Sequence, residues 1–89
     1  MLVNDRHLLG LSVETDSGTH LGRVVGLTVQ TETHRVEQYE VRRGGVKGLG
    51  LPHLLISWTQ VKAITEEKMV VEDAAIKEPL VAMQGAQAT

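Results

Sequence analysis

The sequence predicts an all-β protein, a small barrel of five or six short strands with a short C-terminal extension. Three observations lead to this fold class. Apolar residues alternate with polar ones in several short runs, as they do in half-buried strands. Isolated glycines interrupt the longest run, where they typically mark bulges or bends at barrel corners. The 89 residues correspond to one domain, and closure protects the edges of so few strands from aggregation.

The first half of the chain contains three predicted strands. Residues 9–14 alternate between apolar and polar, and the turn signal Asp16-Ser17-Gly18 follows, in which glycine tolerates a positive φ. A longer strand covers residues 21–30, with glycines at two positions. The polar segment 31–34 predicts a hairpin loop, and the third strand covers residues 36–42.

The second half predicts shorter elements. Residues 43–52 form a long glycine-rich loop, and a fourth strand follows from Leu54 to Trp58. The apolar pattern continues in a short strand or turn over 61–64, and a last strand covers 69–72 after a polar turn. The period-two pattern predicts a core of Leu9, Leu11, Val13, Val25, Leu27, Val29, Val41, Ile56, Trp58, Val61, Ile64 and Val71.

Three segments, in this order, resemble the PRC-barrel domain family. The first, residues 9–24, contains Leu9-Gly10-Leu11-Ser12-Val13, the turn Asp16-Ser17-Gly18 and Leu21-Gly22-Arg23-Val24, similar to the family's opening strand, D-x-G turn and hG-x-V strand. The second is Leu54-Leu55-Ile56-Ser57-Trp58-Thr59-Gln60-Val61, similar to the family's L-I-P-W-x-x-V stretch, with Ser57 where many members have proline. The third covers residues 64–71. The resemblance extends over roughly residues 7–73.

The resemblance implies binding and scaffolding rather than catalysis. The family includes the cytoplasmic domain of the photosynthetic reaction-centre H subunit, the C-terminal domain of a ribosome small-subunit maturation factor, and archaeal adaptors of cell division. For this chain it implies a non-enzymatic adaptor that mediates protein–protein interaction, in cell division or in the assembly of a membrane-associated complex. The alternative is an accessory factor in RNA processing or ribosome assembly, and a small-molecule or metal-binding module is a third interpretation.

The composition changes after the last predicted strand. We therefore predict a PRC-barrel domain over residues 1–73 and a partly disordered C-terminal extension over residues 74–89. Pro79 disfavours one continuous helix in the extension, because proline lacks an N–H donor and clashes with the preceding turn.

The charge balance argues against proteins that depend on a positive field. Nine Lys and Arg stand against eleven Asp and Glu, so the net charge is −2, unlike a general nucleic-acid coat or a polybasic membrane binder. The two aromatic residues also offer few stacking platforms for RNA. No apolar run approaches the roughly 20 residues of a membrane span, and no signal-peptide pattern is visible. We expect a cytoplasmic protein.

The sequence predicts neither a metal site nor a cofactor. The chain has no cysteine, and no two histidines stand three or four residues apart, so zinc would need ligands assembled from separate strands. We expect the histidines to be solvated loop residues: His7, His20, His34 and His53.

Catalysis is not predicted either. The serines lack the strand-to-helix setting of a nucleophile elbow, and the adjacent pair Glu66-Glu67 lies on a predicted turn, where the two side chains face different ways into water. The glycine-rich loop fails the Walker pattern, because Leu51 and Pro52 stand where Lys and Ser or Thr are required.

The glycine-rich loop and the residues leading into it are the predicted partner-binding site. Its basic residues offer a contact for an acidic partner or for phosphate, while its large apolar residues either fold back as a lid on the barrel or meet a partner. The predicted partner-binding residues are Arg42, Arg43, Val46, Lys47, Leu49 and Leu51.

Apolar residues outside the strands also predict self-association, as a symmetric dimer. A barrel of this size has a limited core, and a second copy is an economical way to bury the remaining apolar groups. The predicted dimer contacts are Ile76, Leu80, Val81 and Met83. The competing arrangement is a monomer whose tail closes the barrel end.

Overall fold

A computed structural model describes residues 1–44 and 50–77. Six strands make up about half of this part of the chain: β1 (Ser12–Thr15), β2 (His20–Gln30), β3 (Arg35–Arg43), β4 (Leu54–Ser57), β5 (Val61–Ile64) and β6 (Lys68–Val71). The helices are short: α1 (Asp5–Leu8), a 3-10 helix (Trp58–Gln60) between β4 and β5, and α2 (Ala74–Lys77). The predicted all-β class is confirmed.

The six strands form one sheet in the order β4-β3-β2-β1-β6-β5. All neighbours are antiparallel except β1 and β6, which run parallel. The sheet edges are β4 and β5, and among the described residues no hydrogen-bonded pairing of these two strands closes the barrel. The 3-10 helix connects the two edge strands in the chain. At the end of this helix, the Gln60 carbonyl accepts a hydrogen bond from the Glu72 N–H at 2.8 Å.

One hydrophobic core lies on the inner face of the sheet. Its rows follow the register, because residues directly opposite each other on neighbouring strands share a face: Val24 is opposite Val41, and Val41 is opposite Leu54. The buried apolar residues are Leu8, Leu11, Val13, Val24, Tyr39, Val41, Leu54, Ile56, Met69, Val71 and Ala75. Leu27, Val61 and Ile64 are partly buried against this core.

Two core predictions on β2 are wrong, and the register explains them. Val25 is 38% exposed and Val29 is 48% exposed, whereas Val24 is fully buried. The pairing shifts between Val24 and Gly26, so Val25 is the extra residue of a β-bulge and the buried face moves by one position. Val29 lies near the hairpin end of the strand, where it pairs with Val36 and extends beyond the core.

Leu9 and Trp58 are also exposed rather than buried, at 42% and 51%. Strands were predicted at both positions, whereas Leu9 directly follows a helix and Trp58 begins one. Leu9 is the C-cap of α1, a helix that the sequence analysis missed, and Leu8 faces the core instead. Trp58 begins the 3-10 helix, whose N-cap Ser57 accepts a hydrogen bond from Thr59 N–H at 3.2 Å. The helix ends the strand alternation and turns Trp58 to the surface.

Candidate functional site

The outer face of the sheet brings two arginines together. Arg23 on β2 lies directly opposite Arg42 on β3. Both side chains are exposed, since each alternates with a buried valine of the core, Val24 or Val41. Side chains directly opposite on neighbouring strands have Cβ atoms about 5 Å apart. We call these two residues the arginine pair.

Gly22 allows β3 to approach β2 at this point. Its φ is +152°, a conformation that side chains rarely adopt. A Cβ atom at this position would lie 1.9 Å from the backbone oxygen of Arg42. Glycine is therefore required next to the arginine pair for steric reasons, apart from any role in binding.

Polar groups before β1, on β1 and at the start of β2 lie near Arg23. Ser12 lies opposite Arg23 on β1, and its hydroxyl contacts Nδ1 of His20 at 3.3 Å. Nη1 of Arg23 donates to the Gly10 carbonyl at 2.9 Å, which orients the guanidinium. Arg23 is thus oriented by the backbone, and Ser12 and His20 supply further hydrogen-bonding groups near it.

The neighbouring carboxylates on the outer face already have side-chain partners. Glu14 accepts from Lys68 at 2.9 Å, and the hydrogen bond and charge of Glu14 raise the pKa of that lysine. Glu40 forms an ion pair with His53. Among residues 1–44 and 50–77, the ion pairs do not include either arginine of the pair.

Arg43, which was predicted to bind a partner with Arg42, has a different environment. It is the last residue of β3, lies opposite Gly22 and is half-buried. Its Nε is buried and has no hydrogen-bond partner in the described part of the chain. Alternation along the strand directs Arg42 and Arg43 to opposite faces, so they do not form one patch.

Two apolar side chains are exposed close to the ends of the edge strand β4. Leu51, a predicted partner-binding residue, is 45% exposed before β4, and Trp58 is 51% exposed directly after it. β4 pairs with β3 on one side, and no described strand pairs with its other side. This edge presents backbone donors and acceptors between two exposed apolar groups, an arrangement that can accept an extended chain.

Several predicted site residues lie outside the described residues: Val46, Lys47, Leu49, Leu80, Val81 and Met83. The backbone of Ile76 belongs to α2. The predicted loop and dimer contacts at these positions remain predictions.

The opposite end of the sheet contains an acidic cluster whose hydrogen bonds are internal. Asp73 accepts from the backbone N–H and the hydroxyl of Ser17, both at 3.1 Å, and these bonds lower the pKa of its carboxyl. Asp16 accepts from Lys62 at 2.9 Å, which raises the pKa of that lysine. These contacts join the β1–β2 turn to β5 and to the start of α2, so the cluster has a structural role.

The histidines are exposed, and three of them have hydrogen-bond partners. His7 Nε2 donates to the Glu66 carbonyl at 2.8 Å and ties α1 to the β5–β6 turn, while His20 and His53 contact Ser12 and Glu40. In the described ranges, no group of three or more His, Cys, Asp or Glu side chains is arranged to hold a metal ion. No helix within the same ranges is both long and apolar enough to cross a bilayer.

Comparison with protein families identifies the domain. The family model of the PRC-barrel domain matches residues 2–76. The chain belongs to the PRC-barrel family. The resemblance seen over roughly residues 7–73 is thereby confirmed, and membership is consistent with a small adaptor or scaffold domain. No curated protein shows significant similarity to the chain.

Sequence reasoning found Arg42 but missed Arg23 as its neighbour. The two residues are far apart in the chain, and only the register of the β2–β3 hairpin places them opposite each other. The available signal was that each is a basic residue next to a valine in a predicted strand, which places both on the solvent face.

Proposed function

We propose that this PRC-barrel domain is a non-enzymatic adaptor that binds a protein partner along β4 and the residues next to it. The observation that carries the proposal is the pair of exposed apolar side chains, Leu51 and Trp58, on either side of an edge strand. Exposed aromatic and aliphatic groups at a strand edge are typical anchors for a bound chain. Family membership supports a binding role over catalysis.

The process in which the adaptor works follows from the resemblance alone. We propose cell division or the assembly of a membrane-associated complex, with the protein acting in the cytoplasm. The alternative is an accessory role in RNA processing or ribosome assembly. The net charge of −2 disfavours that alternative, because nucleic-acid binding depends on a positive field around the protein.

The proposal is tested by affinity capture from the source organism, with the full chain as bait and mass spectrometry of the bound proteins. We expect one protein to be retained by the natural chain and lost by the double variant L51D/W58D. Val29→Asp is the matched control, since Val29 is 48% exposed on β2 and away from β4.

Two results would contradict the proposal. Equal capture by L51D/W58D and V29D would exclude β4 as the binding surface. The RNA-related alternative would be favoured if ribonuclease treatment abolished capture of the protein. It would also be favoured if capture were lost at the same salt concentration at which the bait no longer retains RNA.

We also propose that the chain forms a symmetric dimer through its C-terminal extension, with Ile76, Leu80, Val81 and Met83 as contacts. The test uses substitutions in the full chain, because Ala75 belongs to the core and a truncation at residue 73 would remove it. Light scattering should give a dimer for the natural chain and a monomer for L80D/M83D. A natural chain that is monomeric at high micromolar concentration would contradict the proposal.

A further inference from the structure

We propose that the arginine pair, Arg23 and Arg42, binds carboxylates of an acidic segment in the protein partner. This inference rests on the adaptor function and names the chemistry of the partner. The two guanidinium groups lie on the open outer face of β2 and β3, adjacent to the edge strand β4.

The arginine pair is unfavourable without a bound anion. Like charges directly opposite each other on neighbouring strands repel. The ion pairs of residues 1–44 and 50–77 do not include Arg23 or Arg42. Outside those ranges, residues 45–49 contain no acidic residue, and residues 78–89 contain one, Glu78. A bound carboxylate relieves this repulsion.

The carboxylates near the arginine pair already have partners within the chain. Lys68 binds Glu14 at 2.9 Å, and His53 binds Glu40. Within residues 1–44 and 50–77, no carboxylate is paired with Arg23 or Arg42, which leaves them able to bind an external anion. Arg23 is also oriented, because its Nη1 donates to the Gly10 carbonyl at 2.9 Å while its remaining N–H groups are left for a ligand.

The surroundings of the arginine pair favour an acidic peptide over a nucleic acid as the ligand. Exposed apolar side chains lie next to Arg23 in the fold: Val25 two residues along β2, at 38%, and Leu9, beside the Gly10 carbonyl, at 42%. A segment that combines acidic and apolar residues matches this surface. Two arginines in a chain of net charge −2 provide too weak a field for a phosphate backbone. The planar guanidinium forms two parallel hydrogen bonds with a carboxylate as readily as with a phosphate, so the apolar neighbours and the net charge, not the arginines themselves, favour the peptide.

The experiment measures the binding of a fluorescent peptide of alternating Glu and Leu to the full chain, by fluorescence anisotropy at low salt. The control peptide has Gln in place of Glu. The protein variants are R23Q, R42Q and the double variant. R35Q is the matched control, because Arg35 is an exposed arginine on the same strand, at the hairpin end, opposite Gln30. Urea unfolding of each variant verifies that it is folded.

We expect the natural chain to bind the acidic peptide and to bind the Gln peptide at least tenfold more weakly. R23Q and R42Q should each weaken binding about fivefold or more, and the double variant should abolish it, while R35Q stays within about twofold. The affinity should also fall with added salt, since the contact is between exposed charges.

Three results would overturn the inference: equal binding of the Gln peptide, an effect of R35Q as large as that of R42Q, or tighter binding of a single-stranded RNA of equal charge. The adaptor proposal is tested separately. In one outcome, L51D/W58D no longer captures the protein, while R23Q/R42Q still captures it and still binds the peptide as the natural chain does. The adaptor proposal would then stand, and the arginine pair would be excluded as a binding site. In the other outcome, peptide binding requires the arginine pair, while L51D/W58D captures the same protein as the natural chain. The arginine site would then stand, and the proposed adaptor surface along β4 would be excluded.

Discussion

Replacing Gly22 with alanine should destabilise the domain more than any other single added methyl group on its described glycines. The new Cβ would lie 1.9 Å from the backbone oxygen of Arg42 and 2.8 Å from its carbonyl carbon. Neither atom belongs to a flexible side chain, so β2 and β3 must move apart. The φ of +152° adds a conformational cost that is independent of the clash.

The magnitude follows from these two contributions. A residue held in a sparsely populated backbone conformation costs about 1–3 kcal/mol, and forcing additional atoms into a packed region costs about 1–3 kcal/mol or more. We therefore expect a loss of roughly 3–5 kcal/mol in the free energy of unfolding. A domain of this size has roughly 4–13 kcal/mol in total, so Gly22→Ala leaves a marginal fold.

The assay is urea unfolding followed by circular dichroism, with two other glycines as controls. Gly18 has a φ of +98°, and no atom lies within 4 Å of the position that an added Cβ would take, so Gly18→Ala isolates the conformational cost of about 1–3 kcal/mol. Gly26 has no positive φ, and its added Cβ would meet only the side chain of Glu40, with Oε1 at 3.2 Å. Gly26→Ala should change stability by less than about 1 kcal/mol, because that side chain can move.

The order of the three variants is the test. A Gly22→Ala protein as stable as Gly18→Ala would show that the strands do not approach as closely as the geometry requires. An equally severe effect of Gly26→Ala would show that any methyl group in β2 is disruptive, so that the close contact with Arg42 is not the cause.

Three further predictions test the core, a hydrogen-bonded carboxyl and the surface tryptophan. Met69→Ala should cost about 2–5 kcal/mol because its side chain is fully buried, and Val29→Ala less than about 0.5 kcal/mol; similar urea midpoints for the two would contradict the core assignment. Folding lowers the pKa of the Asp73 carboxyl from 3.8. The ionised carboxyl therefore stabilises the folded domain above that value, and this contribution is lost as the pH falls through the folded pKa. Ser17→Ala removes the hydroxyl donor to Asp73, so the pKa of Asp73 in a carbon-13 NMR titration should rise and the loss of stability in acid should be smaller. An unchanged pKa would show that this hydrogen bond does not lower it. Trp58, the one tryptophan of the chain, is 51% exposed, and iodide should quench its fluorescence in the folded state, whereas a buried tryptophan would be protected.

The strands themselves could be predicted because their signals are local. Alternation over 36–42 corresponds to β3 at Arg35–Arg43, and the turn at Asp16-Ser17-Gly18 has its glycine at a φ of +98°. Gly26 was expected to mark a bulge, and the β2–β3 register shifts beside it. The family was also recognisable, since its motifs are short runs with a set order.

The helices could not be predicted from the local pattern of apolar and polar residues. Leu9 and Trp58 fit a strand pattern, yet capping by Asn4 and Ser57 begins helical turns close to both positions. Side-chain hydrogen bonds to the backbone at a helix end compete with pairing of the same segment in a sheet. The spacing of apolar residues does not show which of the two conformations is more stable.

The amino-acid sequence by itself determined the fold class, the strands and the family, because these depend on the alternation and turn chemistry of neighbouring residues. Only the tertiary structure decided which residues of different strands lie opposite each other. Val25 is an extra residue on β2 and Glu37 is an extra residue on β3, and the two shifts cancel between the hairpin end and the arginine pair. A shift of one residue in either strand would place Arg23 opposite another residue, because register is a property of two strands paired over their full length.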